Sequence, residues 1–154
     1  MPFVPPRLRY GPLERGDIPY LLRMTRENMS QVIRSAWNVE WSDETLLETL
    51  LDQTLVTEVL KEGERIIGYY CLDQRGDYIF VVSIQISKES QRNGLGRKMM
   101  ERIEELAGTS GMEGVELCVQ STNDKARGFY RYLGYRLVSR ERNNLIMRKE
   151  LSEG

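Results

Sequence analysis

Two glycines one residue apart, Gly94 and Gly96, lie within the run Gln91-Arg92-Asn93-Gly94-Leu95-Gly96-Arg97-Lys98. Glycines at this spacing let a backbone turn tightly and leave its amide N–H groups uncovered by side chains. A helix beginning at the same place aims its unpaired N–H groups and positive dipole end at the turn. Arg92, Arg97 and Lys98 add positive charge nearby. The combination makes a cradle for a diphosphate, although an ordinary strand-to-helix turn is the alternative reading of these residues alone. Two other phosphate loops do not fit. A Walker loop needs GxxxxGK[ST], which the chain lacks, and a dinucleotide fingerprint needs a third glycine where Met99 stands.

The elements that must position this loop are legible around it. Residues 78–86 form the longest strand candidate. Residues 95–107 form an amphipathic helix with Leu95, Met99, Ile103 and Leu106 in one stripe. Upstream, residues 7–10 alternate as a short strand that Gly11-Pro12 is expected to end. Asp17 is expected to cap a helix with Ile18, Leu21, Leu22 and Thr25 on one face, a second helix covers 30–36, and Ser42-Asp43-Glu44 opens a third. Strands 54–61 and 65–73 flank a hairpin turn at Glu62-Gly63-Glu64. Downstream come a strand at 115–119, a helix at 124–133 with Gly134 as its cap, and two closing strands, 135–139 and 145–150, joined near Asn143-Asn144. The predicted class is α/β (α+β): a mixed, mostly antiparallel sheet of about seven strands with helices on both faces. A length of 154 residues suits one domain spanning 1–154.

Composition removes several chemistries. There is no histidine, so a Ser-His-Asp triad, a Cys-His pair and a His-ligated metal are excluded within this chain. Cys71 and Cys118 are isolated, too few for a disulfide scaffold or a thiolate zinc site, and read as small buried residues; no metal is expected. Net charge is −1 with both signs interspersed, which argues against nucleic acid as the main partner. No signal-like leader and no stretch of eighteen apolar residues is present, so a cytoplasmic protein with no membrane partner is expected.

The loop and its surroundings resemble the GNAT superfamily of N-acetyltransferases, whose central motif [QR]xxGx[GA] follows a strand. Gln91, Gly94 and Gly96 fill it, after the strand-like Ser83-Ile84-Gln85-Ile86-Ser87. Some thirty residues on, Asn123-Asp124-Lys125-Ala126-Arg127-Gly128-Phe129-Tyr130-Arg131-Tyr132-Leu133-Gly134-Tyr135 is similar to the family's N-x-x-A-x-x-[FL]-Y-x-x-x-G-[FY] segment. The resemblance implies an acyl-CoA N-acyltransferase fold and acetyl-CoA as cosubstrate. It further implies a strand gap holding the pantetheine arm. The backbones of Ile84, Gln85 and Ile86 would line that gap. Gln91, Arg92, Asn93, Gly94, Leu95, Gly96 and Arg97 would hold the diphosphate. Asn123 would contact pantetheine or cap the next helix. Tyr130 matches a tyrosine that protonates the departing thiolate, as a phenol beside the sulfur can.

The resemblance leaves the base and the acceptor open. Relatives carry a base glutamate at positions that here are Cys118 and Phe80; Glu116 faces the same side as Cys118 but lies about 7 Å along the strand. Water-mediated proton loss, a carboxylate from the helical region, or an acceptor that is already deprotonated are the alternatives. Trp37, Glu40 and Trp41 resemble a W-G-W-[DE] stretch of some members; they are expected either to hold a cationic amine or to anchor a loop on the core. The expected activity is acetyl transfer to a primary amine, on a protein or a small molecule. A non-catalytic acetyl-CoA sensor is the competing reading, and a homodimer is possible by analogy with relatives.

Overall fold

Runs of β-branched and aromatic residues separated by glycine turns give the strands, and apolar stripes at helical spacing give the helices. The computed structural model describes residues 7–151. In chain order the elements are β1 (Leu8–Pro12), α1 (Ile18–Trp37), α2 (Asp43–Leu51), β2 (Val56–Glu62), β3 (Arg65–Arg75), β4 (Tyr78–Ile86), α3 (Leu95–Thr109), β5 (Gly114–Gln120), α4 (Asp124–Tyr132), β6 (Arg136–Glu141) and β7 (Asn144–Glu150). They form the expected mixed sheet, ordered β1-β2-β3-β4-β5-β7-β6. Every neighbouring pair is antiparallel except β4 with β5.

Helices cover both faces, each over its own core. On one face α3 and α4 bury Leu95, Met99, Met100 and Ile103 against Tyr70, Val81, Val115, Leu117 and Met147. On the other, Leu21 and Met24 of α1 and Leu46 and Leu50 of α2 pack on Val59 and Tyr69. Each such leucine or isoleucine contributes roughly 1.5–3 kcal/mol on leaving water.

Three local expectations are corrected. The separate helices expected before and after residue 30 are one helix, α1. No glycine or proline interrupts residues 20–37, so the apolar face continues turn after turn. Asp17 stands at the N-cap of α1 but its side chain does not cap it; Oδ2 instead accepts from the Glu14 N–H at 2.9 Å, and Oδ1 pairs with Lys61 at 3.5 Å. The first strand continues through Gly11 and Pro12, which an edge strand tolerates because one side of its ladder needs no donors. Ser42 caps α2 as expected, accepting from the Glu44 N–H at 3.3 Å.

Candidate active site

The parallel pairing of β4 and β5 begins at Tyr78 opposite Gly114 and stops at Val81 opposite Leu117. Beyond that point β4 stays on β3 as far as Ile86 opposite Gly68, while β5 stays on β7 as far as Gln120 opposite Asn144. The two strands therefore part in a V. A β-bulge lies at the parting point: Cys71 faces Ser83 and Leu72 faces Val81, which leaves Val82 as the extra residue. Such a bulge bends its strand and increases its twist, turning the end of β4 away from β5.

The V exposes backbone groups that the ladder does not use. The Ser87 N–H donates to Ile67 O at 2.9 Å, and the β3–β4 register is unbroken from there to Ser83. Alternation in an antiparallel ladder then turns the N–H and C=O of Ile84 and Ile86 away from β3, into the V. An extended ligand arm laid there would gain strand-like hydrogen bonds. The Ile86 carbonyl is already taken, accepting from Asn28 Nδ2 at 2.8 Å and Gln91 Nε2 at 2.9 Å. Ile84 and Ile86 pack their side chains on the core. Gln85 points the other way and accepts from Asn28 at 3.0 Å.

The glycine loop sits at the mouth of this V. Gly94 is left-handed (φ 85°) at the N-cap of α3, and Arg92 is left-handed too (φ 68°). A left-handed residue next to a right-handed one turns successive N–H groups to one side, the geometry of an anion nest, and Gly94 followed by the helical Leu95 makes such a pair. Arg92 pays a strain of about 1–3 kcal/mol for it, as non-glycine residues do at functional turns. A Cβ at Gly94 would meet nothing within 4 Å, so the space in front of the turn is open. A Cβ at Gly96 would stand 3.1 Å from Phe129 Cζ and 3.6 Å from Ile86 Cδ1; glycine there lets α3 start against both α4 and the end of β4. The first turn of α3 contains no acid, so its positive end is unscreened. Leu95 is buried; Arg92, Asn93, Arg97 and Lys98 are exposed, with Arg97 paired to Glu101 at 3.0 Å.

Tyr130 lies on α4, edge-on to Phe129 (5.2 Å between centroids) and to Tyr135 (5.8 Å). Burial alone pushes its phenol up to about 12, and its hydroxyl has no hydrogen-bond partner among the described residues. It is thus a protonated donor with an unused O–H. Asn123 caps α4, accepting from the Ala126 N–H at 3.2 Å.

Neither expected base position carries a base. Phe80 lies under the Arg75 guanidinium at 3.8 Å, and burial raises the Cys118 thiol, so it stays protonated. Glu116 is held by Arg148, with Nε at 2.7 Å and Nη2 at 2.6 Å from Oε2. Of the tryptophan segment, Trp41 is tied to Asp43 at 2.7 Å and packs on the α1–α2 core, in the manner of an anchor. Glu40 is exposed and paired with Arg34 at 2.7 Å, and Trp37 ends α1 half-buried.

A sequence profile of the Acetyltransferase (GNAT) family matches residues 22–135, which include the V, the glycine loop and α4. The chain belongs to the GNAT acetyltransferase family. It is 27% identical over 136 residues to the thialysine N-ε-acetyltransferase of Bos taurus, covering 79% of each chain. Among solved structures, the ribosomal-protein-S18-alanine N-acetyltransferase of Escherichia coli superposes with a TM-score of 0.73 at 20% identity, covering 96% of both chains. The spermidine N-acetyltransferase of Vibrio cholerae, solved with CoA and spermine, gives 0.68 at 21% identity over 94% of both chains. These structural likenesses establish the GNAT fold.

Sequence reading missed two residues that brace this acetyltransferase. Asn28 joins α1 to Gln85 and Ile86, and its Oδ1 accepts from Gln91 at 3.4 Å, so one amide links helix, strand and glycine loop. Asn143, in the β6–β7 turn, donates to the Ala36 carbonyl and accepts through its own carbonyl from the Ser121 N–H at 2.8 Å, bridging α1 to the end of β5. For Asn28 the available signal was an amide side chain on the inner face of a helix; for Asn143 it was only its place in a turn. A cavity of about 330 Å³ lies elsewhere, between α3, the end of α4 and β7. Its polar lining is internally paired, Arg97 with Glu101 and Lys149 with Glu104, and none of it comes from β4 or β5. Among the described residues no acidic or cysteine cluster could hold a metal ion, and no helix is long and apolar enough to cross a membrane.

Proposed function

We propose that the protein moves the acetyl group of acetyl-CoA onto a primary aliphatic amine by direct attack on the thioester. The observation that carries this is the V between β4 and β5, with unladdered Ile84 and Ile86 backbone groups inside it and the nest at residues 92–97 at its mouth. The diphosphate rests on that nest and on the N-terminus of α3. The pantetheine arm follows the edge of β4, and a β4 N–H polarises the thioester carbonyl, stabilising the negative charge that develops on its oxygen.

The amine loses its ammonium proton to water; Phe80 and Cys118 supply no base on the strands, and Glu116 is already paired with Arg148. Its lone pair forms the N–C bond and the C–S bond breaks, the electron pair leaving on sulfur. Tyr130 gives its proton to that sulfur and regains one from the nitrogen by way of solvent, so that amide and free thiol are the products. A primary amine is supported by the relatives, named for thialysine, a ribosomal-protein alanine and spermidine.

The test is acetyl-CoA-dependent thiol release over a panel of lysine analogues, polyamines, N-terminal peptides and aminoglycosides. Turnover on at least one class is expected. Acetyl-CoA stabilisation with no turnover on any class would contradict acetyl transfer and favour a ligand sensor.

A further inference from the structure

Three hydroxyls run in file from the interior of α1 to the V. Thr25 Oγ1 lies 2.8 Å from the Leu21 carbonyl oxygen and 2.6 Å from Tyr69 Oη, and Tyr69 Oη lies 2.8 Å from Ser83 Oγ. Tyr69 is wholly buried and Thr25 is 3% exposed, so no water competes for these bonds, while Ser83 is partly accessible. Each hydroxyl has one proton to give.

The order of donation follows from the far end. A carbonyl only accepts, so the Thr25 proton goes to Leu21. Thr25 must then accept from Tyr69, and Tyr69, its single proton spent, must accept from Ser83. Ser83 is left with no proton to offer and with its lone pairs free to accept. Burial pushes the Tyr69 phenol up to about 12, so the file stays neutral throughout the physiological range.

Ser83 is the residue after the bulge, two positions beyond the last β4–β5 pair, and next to Ile84, whose backbone faces the V. Its side chain lies on the α1 face, whereas Tyr130 packs with α3 and α4 on the other. A group bound beside Ser83 therefore approaches the thioester from the side opposite the thiolate's proton donor.

We infer that Ser83 is a specificity-determining contact for the acceptor: an acceptor-only hydroxyl, held so by Tyr69 and Thr25, that takes an N–H from the incoming amine and leaves its lone pair free to attack. This rests on the acetyl-transfer reading above. A hydroxyl free to rotate would donate to the amine lone pair and block attack; the file forbids that rotation. No proton passes along it, because it ends on a carbonyl. Tyr69 and Thr25 are positioning residues, acting only through Ser83.

The test has one part that needs no turnover. Neutron diffraction from perdeuterated protein is expected to place the Tyr69 deuteron towards Thr25 and the Ser83 deuteron towards Tyr69; the reverse order overturns the inference. The second part is kinetic, with the best amine of the panel. Ser83→Ala is expected to raise the KM for amine about tenfold, the worth of one hydrogen bond, with the KM for acetyl-CoA unchanged. Thr25→Val, near-isosteric, deprives Tyr69 of its acceptor, lets Tyr69 donate to Ser83, and is expected to produce a comparable rise. The double variant should be no worse than either single one, since both remove the same contact. An unchanged amine KM in Ser83→Ala, or additive losses in the double variant, would overturn the proposal. A wild-type protein silent on every amine would overturn acetyl transfer instead, and the neutron result would still decide the order of the hydroxyls.

Discussion

Gln91 and Ile86 are joined by a 2.9 Å hydrogen bond from the amide Nε2 of the first to the carbonyl oxygen of the second. The bond fastens the start of the glycine loop to the end of the strand whose edge forms the V. Loop and strand therefore hold one geometry, which a ligand spanning both would require. Gln91→Ala removes this bond and the weaker one to Asn28, and is expected to weaken acetyl-CoA affinity by about tenfold with little change in kcat. Calorimetric titration of both proteins checks it, and equal affinities would contradict the bracing role.

Gly94→Asp is expected to abolish acetyl-CoA binding. Any side chain is strained at φ 85°, and a carboxylate would fill the open space in front of the turn with negative charge. A thermal-shift titration should lose its ligand-dependent rise; a normal rise would place the diphosphate elsewhere.

Tyr130→Phe is expected to lower kcat by roughly a hundredfold and leave acetyl-CoA affinity intact, since only a proton donor is removed. Its pH dependence has a definite sign. An acid works while protonated, and burial pushes this phenol up to about 12 from 10.0, so it remains competent well past pH 10. The kcat profile should show no alkaline fall with a midpoint near 10.0, the ordinary tyrosine value. A fall there that disappears in Tyr130→Phe would show an unshifted phenol.

Both thiols should be sluggish. Cys71 is wholly buried, Cys118 is half-buried, and burial raises each above the ordinary thiol range. Iodoacetamide at pH 7 is expected to label them slowly in the native protein and quickly after unfolding. Rapid native labelling of Cys118 would point to an activated thiolate on β5.

Glu104 accepts from the buried Tyr135 hydroxyl at 2.8 Å and pairs with Lys149 at 3.0 Å. Glu104→Ala strands a hydroxyl beneath α3 and is expected to cost about 1–3 kcal/mol in urea unfolding. Arg9→Ala, which breaks a pair at 3.5 Å with a nearly fully exposed Glu64, should leave the midpoint in place.

Much of this arrangement was readable from the chain because its information is local. The bounds of β4 follow from its apolar run, α3 from its stripe, and the tight turn between them from two glycines and a helix start. What could not be read depends on distant partners. Asn28 and Ile86 are 58 residues apart, and nothing near either names the other. Glu116 is an available carboxylate in sequence and a paired one in space, because β7 brings Arg148 beside it. The bulge left a faint trace. The α3-facing residues Ile79, Val81, Ile84 and Ile86 slip by one between Val81 and Ile84, but Val82 is also apolar and hides the slip.

The most direct test of the central claim is a crystal structure of the protein with acetyl-CoA. The pyrophosphate should lie on the amides of residues 92–97, with pantetheine along the backbone of Ile84 and Ile86 inside the V and the sulfur within reach of the Tyr130 hydroxyl. Acetyl-CoA bound instead in the cavity beside Glu101 and Tyr132, with the V left empty, would contradict it.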